Sequence, residues 1–129
     1  MADPFDLDRF VNAQAPVYAG VLAELRQGRK QSHWMWFIFP QFAGLGLSAM
    51  AQRFALRSRE EAVAYLGHHV LGQRLRECTA LVNAVEARTI HDILGSPDDL
   101  KFHSSMTLFA AAKYYGGTPD RKTLELLGG

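Results

Sequence analysis

Ser96-Pro97-Asp98-Asp99-Leu100-Lys101-Phe102-His103-Ser104-Ser105-Met106-Thr107-Leu108-Phe109 is the stretch that decides the fold. A serine, a first-turn proline and two acids make a strong helix start: a cap, a residue that needs no N–H, and negative charge at the positive dipole end. Wound at about 3.6 residues per turn, the segment sends Leu100 and Leu108 to one side and Phe102, Met106 and Phe109 to another. A helix apolar around most of its circumference has to be enclosed, so the pattern predicts a central buried helix. It should run to Tyr115, before Gly116-Gly117. Lys101, Ser104 and Ser105 then occupy places where an unsatisfied polar group is costly. Two outcomes are open. Lys101 pairs with Asp98 one turn back and the serines bond to carbonyls of the preceding turn, or these groups face an anionic ligand.

The rest of the chain reads as helices short enough to pack around that one. Asp6 is a candidate cap for a helix carrying Leu7, Phe10 and Val11. Pro16 suits a first turn, with Val17, Tyr18, Val21, Leu22 and Leu25 at helical spacing and Gly28 as a left-handed stop. Ser48 opens a short segment through Phe54, and Ser58-Arg59-Glu60-Glu61 reads as a capping box for a helix ending at Gly67. Leu71, Leu75, Cys78, Leu81, Val82 and Val85 recur at three and four. Thr89 to Asp92 is a second box, closed by Gly95, and Thr118-Pro119 opens a last helix through Leu127. Alanine (17) and leucine (16) outnumber valine, isoleucine and threonine (7, 3 and 5), a helix-favouring bias. No stretch sustains period-two alternation, and there is no repeat or linker. The expectation is one all-α domain over residues 1–129, a multi-helix bundle of about seven short helices around one central buried helix.

One block stands apart from generic bundle sequence: Lys30-Gln31-Ser32-His33-Trp34-Met35-Trp36-Phe37-Ile38-Phe39-Pro40-Gln41, which holds both tryptophans. Pro40 disfavours helix at Phe39, so the chain should leave extended into Gln41-Phe42-Ala43-Gly44-Leu45-Gly46. Gly44 and Gly46 make a permissive loop whose amides could meet an anion, although the strand and lysine of a phosphate-binding loop are missing. The block reads either as core plus a tight turn or as the wall of a ligand site. His33, at its edge, is either a hydrogen-bonded structural histidine or an acid–base catalyst.

Composition narrows the classes. The chain has 129 residues, 48% hydrophobic and 21% charged, with 14 lysines and arginines against 13 acids. Such balance fits a soluble globule and gives no reason to expect nucleic acid as a partner. The arginine pairs, Arg26/Arg29/Lys30 and Arg74/Arg76, read as solvated helix faces. The longest apolar run, Trp34 to Phe39, is far below the roughly 20 residues that span a bilayer. An acidic amino terminus lacks the pattern of a signal peptide, so a cytoplasmic protein with no membrane partner is expected. Cys78 stands alone and shares a helical face with Leu71, Leu75 and Val82, as a core residue would. The histidines His33, His68, His69, His91 and His103 form no metal motif, and no cofactor fingerprint is present, so no metal and no cofactor are expected.

At His33-Trp34-Met35-Trp36-Phe37-Ile38-Phe39-Pro40-Gln41 the sequence resembles a bacterial family catalogued as a domain of unknown function, whose members often carry an automatic "calpastatin" label. The resemblance extends over nearly the whole chain. It takes in Gly44-Leu45-Gly46, Tyr65-Leu66-Gly67-His68, Leu71-Gly72 with Arg74-Leu75, and Lys101 with Ser104-Ser105-Met106-Thr107-Leu108-Phe109. His69 departs from it, since the family pattern usually has proline there. The resemblance implies a mostly helical single domain and no established reaction. Calpastatin inhibitory segments are disordered, proline-rich and repetitive, whereas this chain has 5 prolines and no repeat.

The functional expectation is a small anionic ligand, such as a nucleotide, ribosyl or sugar-phosphate group, in a cleft between the aromatic block and the central helix. Trp34, Trp36, Gln41, Gly44, Gly46, Lys101, Ser104 and Ser105 are the candidate binding residues. His33 and Asp98 are the acid–base candidates should the ligand also be hydrolysed. Small helical N-glycosidases acting on ribosides offer a fold-level analogy only. The rival expectation is a non-enzymatic interaction module whose motif residues are structural core. Oligomeric state has no signal in the sequence.

Overall fold

The computed structural model describes residues 3–115, and the expected last helix from Thr118 to Leu127 lies outside them. Among the described residues eight helices follow one another: α1 (Asp8–Gln14), α2 (Tyr18–Arg26), α3 (Met35–Ile38), α4 (Ala49–Arg53), α5 (Arg59–Gly67), α6 (Leu71–Ala84), α7 (Ile90–Leu94) and α8 (Asp98–Tyr115). Among the described residues there is no strand, only one isolated parallel bridge between Phe42 and Leu56. The all-α expectation holds.

The longest helix, α8, is central. It packs most extensively on α5 and also meets α7 and α3, while α6 joins α5 to α2. Its inner face is Phe102, Ser105, Phe109 and Ala112. Leu100 departs from the expected enclosure, being 66% exposed, because it faces away from the side that α3 and α5 cover. The largest fully buried side chains of the core are aromatic: Trp34, Tyr65, Phe10 and Phe39. Phe10 meets Tyr65 edge-on at 5.0 Å between ring centroids, and Phe39 meets Phe102 likewise at 5.0 Å, the geometry that ring quadrupoles favour. Cys78 is fully buried, and burial pushes its thiol up to about 11, as expected for an inert core cysteine.

Local signals placed most of the helix ends. Ser48 caps α4 by accepting from the Ala51 amide, and Gly28 ends α2 at φ 74°. Thr89 and Asp92 form a full reciprocal box at the start of α7. Three caps differ from expectation. Asp6 does not cap α1; Asp3 does, its carboxylate accepting from the Leu7 and Asp8 amides at 2.8 and 3.0 Å. Ser58 accepts from the Glu61 amide, but the Glu61 carboxylate completes no box. Glu61 is drawn instead to Arg9 at 2.8 Å and to the Arg57 amide at 2.9 Å. The same Arg9 guanidinium donates to the Arg53 and Ala55 carbonyls, so one ion pair ties α1, α5 and the segment before α5.

The third difference is at α8, where the Ser96 side chain caps nothing. The Asp99 amide donates to the Gly95 carbonyl, and the Leu100 and Lys101 amides donate to the Pro97 carbonyl. With those three amides already partnered, a Ser96 cap would have only the Asp98 amide left to meet, and the hydroxyl makes no bond to it. Ser96→Ala should therefore leave stability within about 0.5 kcal/mol of the parent. Thr89→Ala, which breaks a reciprocal cap, should cost about 1 kcal/mol. Urea denaturation of both variants checks this, and the opposite ranking would overturn the cap assignment.

Candidate functional site

The aromatic block becomes a buried turn held from three directions. Its lead-in is fastened by Glu24 on α2. That carboxylate accepts from the Gln31 amide at 2.6 Å, the Ser32 amide at 2.9 Å, the Ser32 hydroxyl, and the Trp34 indole N–H at 3.1 Å. The helical part, α3, is four residues long and is pinned from α1. Gln14, itself buried, donates to the Phe37 carbonyl at 2.6 Å and to the Tyr65 hydroxyl at 3.0 Å, and accepts from Arg74 at 3.2 Å. Arg74 also lies 4.9 Å from the Tyr18 ring centroid, so it is not the solvated residue expected. Beyond Pro40, the loop base is tied by two backbone bonds, Ala43 to the Leu56 carbonyl and Leu56 to the Gln41 carbonyl, each 2.9 Å.

Against this turn lies a charged cluster made by Lys30 of its lead-in with Asp98 and Lys101 of α8. The Lys30 ammonium sits 3.0 Å from Asp98 Oδ2, with side chains only 8% and 19% exposed. The Lys101 ammonium sits 3.7 Å from Asp98 Oδ1 and is 31% exposed. Each lysine also lies over an indole ring, Lys30 at 5.2 Å from Trp34 and Lys101 at 5.9 Å from Trp36, within reach of a cation–π contact. Two ammonium groups thus share one carboxylate. Lys30 takes the shorter contact and is the more enclosed of the two.

Beside Lys101 is a narrow cleft walled by Trp36, Phe39, Gln41, Phe42 and Gly46. Its enclosed space is about 20 Å³, room for a water molecule and little more. Gly46 belongs to the wall because a Cβ there would lie 2.6 Å from the Ala51 Cβ. The loop at its mouth carries exposed apolar side chains, Phe42, Leu45 and, at 88%, Leu47.

Of the ten residues singled out from sequence, Trp36, Gln41, Gly46 and Lys101 come together on this cleft. The other six do not line it. Trp34 is enclosed and bonded to Glu24. Asp98 has an ammonium on each oxygen. His33 is exposed at the head of the turn, and Gly44 sits at the exposed loop tip with φ 93°. Ser104 is half-buried. Ser105 is fully buried, and its hydroxyl has no hydrogen-bond partner; the expected bond to the preceding turn is not made. Sequence reasoning missed Lys30, Glu24 and Gln14. Lys30 looked like one of a solvated basic cluster, and nothing local marked the other two.

An all-helical domain with a tryptophan-centred turn closed against its longest helix is the class defined by fold and site. The chain belongs to the family described as "Protein of unknown function (DUF1810)", matched over residues 4–127. It is similar to the crystal structure of the conserved hypothetical protein Rv1873 from Mycobacterium tuberculosis. The two are 58% identical with a TM-score of 0.84, and the match covers 98% of this chain and 99% of that one. Among curated proteins, none matches the chain. No helix of the described residues is long and apolar enough to cross a membrane.

Glu24 makes the turn sensitive to acid. Burial works to raise the pKa of its carboxyl, but the donors from Ser32, Gln31 and Trp34 outweigh that and hold it at about 2, against an ordinary 4.5. A carboxyl depressed on folding stabilises the native state above its unfolded pKa, and that contribution disappears as pH falls through the folded value. The stabilisation from Glu24 should thus be complete above pH 4.5 and erode toward pH 2. Glu24→Gln should be less stable than the parent at neutral pH, with the gap narrowing at about pH 3. Denaturation midpoints of both proteins at the two pH values test it, and a constant gap would show that Glu24 is not the titrating group.

Proposed function

We propose that this domain binds a small anionic ligand at the mouth of the cleft beside Lys101, with Trp36, Gln41 and Gly46 as its wall. One observation carries the reading: two lysine ammonium groups face a single carboxylate, so the cluster holds a positive charge that Asp98 does not cancel. Lys30 is the enclosed, tightly paired member, which leaves Lys101 as the cation available to a ligand. The narrowness of the cleft places the anionic group at its mouth, with the body of the ligand against the exposed Phe42 and its loop. An anion joined to a planar or apolar body suits that arrangement, and a nucleotide, ribosyl or sugar-phosphate group has this chemistry. Among the described residues, the lining carries neither a carboxylate nor an imidazole, so the proposal is binding and assigns no hydrolytic step to His33 or Asp98.

Lys101→Met separates this role from a scaffolding one. Asp98 keeps Lys30 when Lys101 is gone, so stability should change by no more than about 0.5 kcal/mol. Affinity for an anionic ligand should fall by roughly 1.5–3 kcal/mol, the loss of a hydrogen bond to a charged group. A thermal-shift screen of nucleotides, ribosides and sugar phosphates supplies the ligand. Chemical denaturation and calorimetric titration of parent and variant then give the two numbers. A Lys101→Met protein that is clearly destabilised yet binds normally would favour the interaction module instead.

A further inference from the structure

A second concave surface lies on the other side of α8. Between α5, α6 and α8 runs an open groove of about 580 Å³ floored by Leu66, Leu75, Phe102, Met106, Phe109 and Ala110. Phe102, His103 and Met106 also line a smaller hollow that continues to Ile90 and the exposed Leu100. The two therefore form one furrow along α8 from Lys113 to Leu100, about 20 Å at the helical rise per residue. Its charge is one-sided at the wider end. Arg76, His103 and Lys113 stand on the rim with Asn83, and no described residue lining the groove carries a carboxylate. Arg76 reaches only the Leu66 carbonyl, at 3.5 Å, and Lys113 has no ion-pair partner among the described residues. The one acid of the furrow, Asp99, lies at its far end and is paired with His91.

We propose that this furrow docks an acidic amphipathic helix from a partner protein. An apolar floor at helical spacing, left open by the described residues, receives one face of a helix rather than a compact small molecule. The length fits three to four helical turns, and the cationic rim calls for carboxylates flanking the apolar face at the Lys113 end. A second copy of this chain packed groove to groove would bring the same cations to the same place. The chain beyond α8 sets Arg121 and Lys122 against Asp120 and Glu125, so it offers no net negative charge to answer the rim.

The test uses the full chain and two synthetic peptides of about 14 residues, each with leucines on one helical face, one flanked by glutamates and the other by lysines. Calorimetric titration should show the glutamate peptide binding at least about tenfold more tightly than the lysine peptide. The exposed double variant Arg76→Glu/Lys113→Glu should reverse that preference, and Met106→Asp should weaken the glutamate peptide by about tenfold. Equal binding of the two peptides, or none, overturns the proposal. So does a parent protein that sediments as a dimer and becomes a monomer on Met106→Asp, which would give the furrow to a second copy. A Leu124→Asp chain that gains peptide affinity about tenfold over the parent would give it to the chain's own carboxyl-terminal residues, again overturning the proposal.

Discussion

A helix of four residues cannot satisfy its own backbone, and α3 is such a helix placed inside the core. One turn closes its first carbonyls, Trp34 and Met35, onto the amides of Phe37, Ile38 and Phe39. The Phe37 carbonyl is left facing the interior, where an unpaired acceptor would cost about 1–3 kcal/mol. Gln14 answers it, and because an amide has further donors and acceptors to satisfy, Tyr65 and Arg74 are recruited as well. Four helices, α1, α3, α5 and α6, are therefore joined through one side chain. The need to bury Trp34, Met35, Phe37 and Ile38 together thus dictates how the surrounding helices meet.

The charged cluster follows from the same enclosure. Lys30 is brought against the turn because its amide donates to the Ile93 carbonyl at 2.7 Å and its ammonium lies over Trp34. A lysine so enclosed must find a carboxylate, and Asp98, at the first turn of α8, is within reach. Its acidity suits that helix end, so one residue serves the dipole and the buried cation at once. Lys101, one turn later on the same face, meets an aspartate already committed elsewhere. The pairing expected from the i,i+3 spacing is present at 3.7 Å, but as the weaker half of a three-charge cluster.

What was legible in the sequence had a short range. Ser48, Gly28 and the Thr89–Asp92 box act on residues no more than four positions away, and each stands where its spacing placed it. The burial of Trp34 and of Cys78 followed from apolar character alone. Ser96 misled because a cap is needed most where amides lack partners, and the Gly95 and Pro97 carbonyls had already taken those of Asp99, Leu100 and Lys101. Asp6 misled for a similar reason, since Asp3 already accepts from the Leu7 and Asp8 amides and the Asp6 carbonyl from that of Arg9. Phe37 for Gln14, Glu61 for Arg9 and Asp98 for Lys30 lie 23, 52 and 68 positions away, and only packing decides which distant polar group such a side chain meets. Half the candidate cleft was visible as a motif; its electrostatics were not, because they hang on Lys30.

Both tryptophans of the chain lie in this one turn, in different surroundings. Trp34 is sealed in the core with its N–H bonded to a carboxylate, while Trp36 is half-buried beneath the Lys101 ammonium. Tryptophan fluorescence, excited selectively over the four tyrosines, therefore reads this region. Trp34 emission follows whether the turn is folded, and Trp36 emission follows what happens to the cation above it. The domain carries its own optical reporter at the place where its chemistry is most in question.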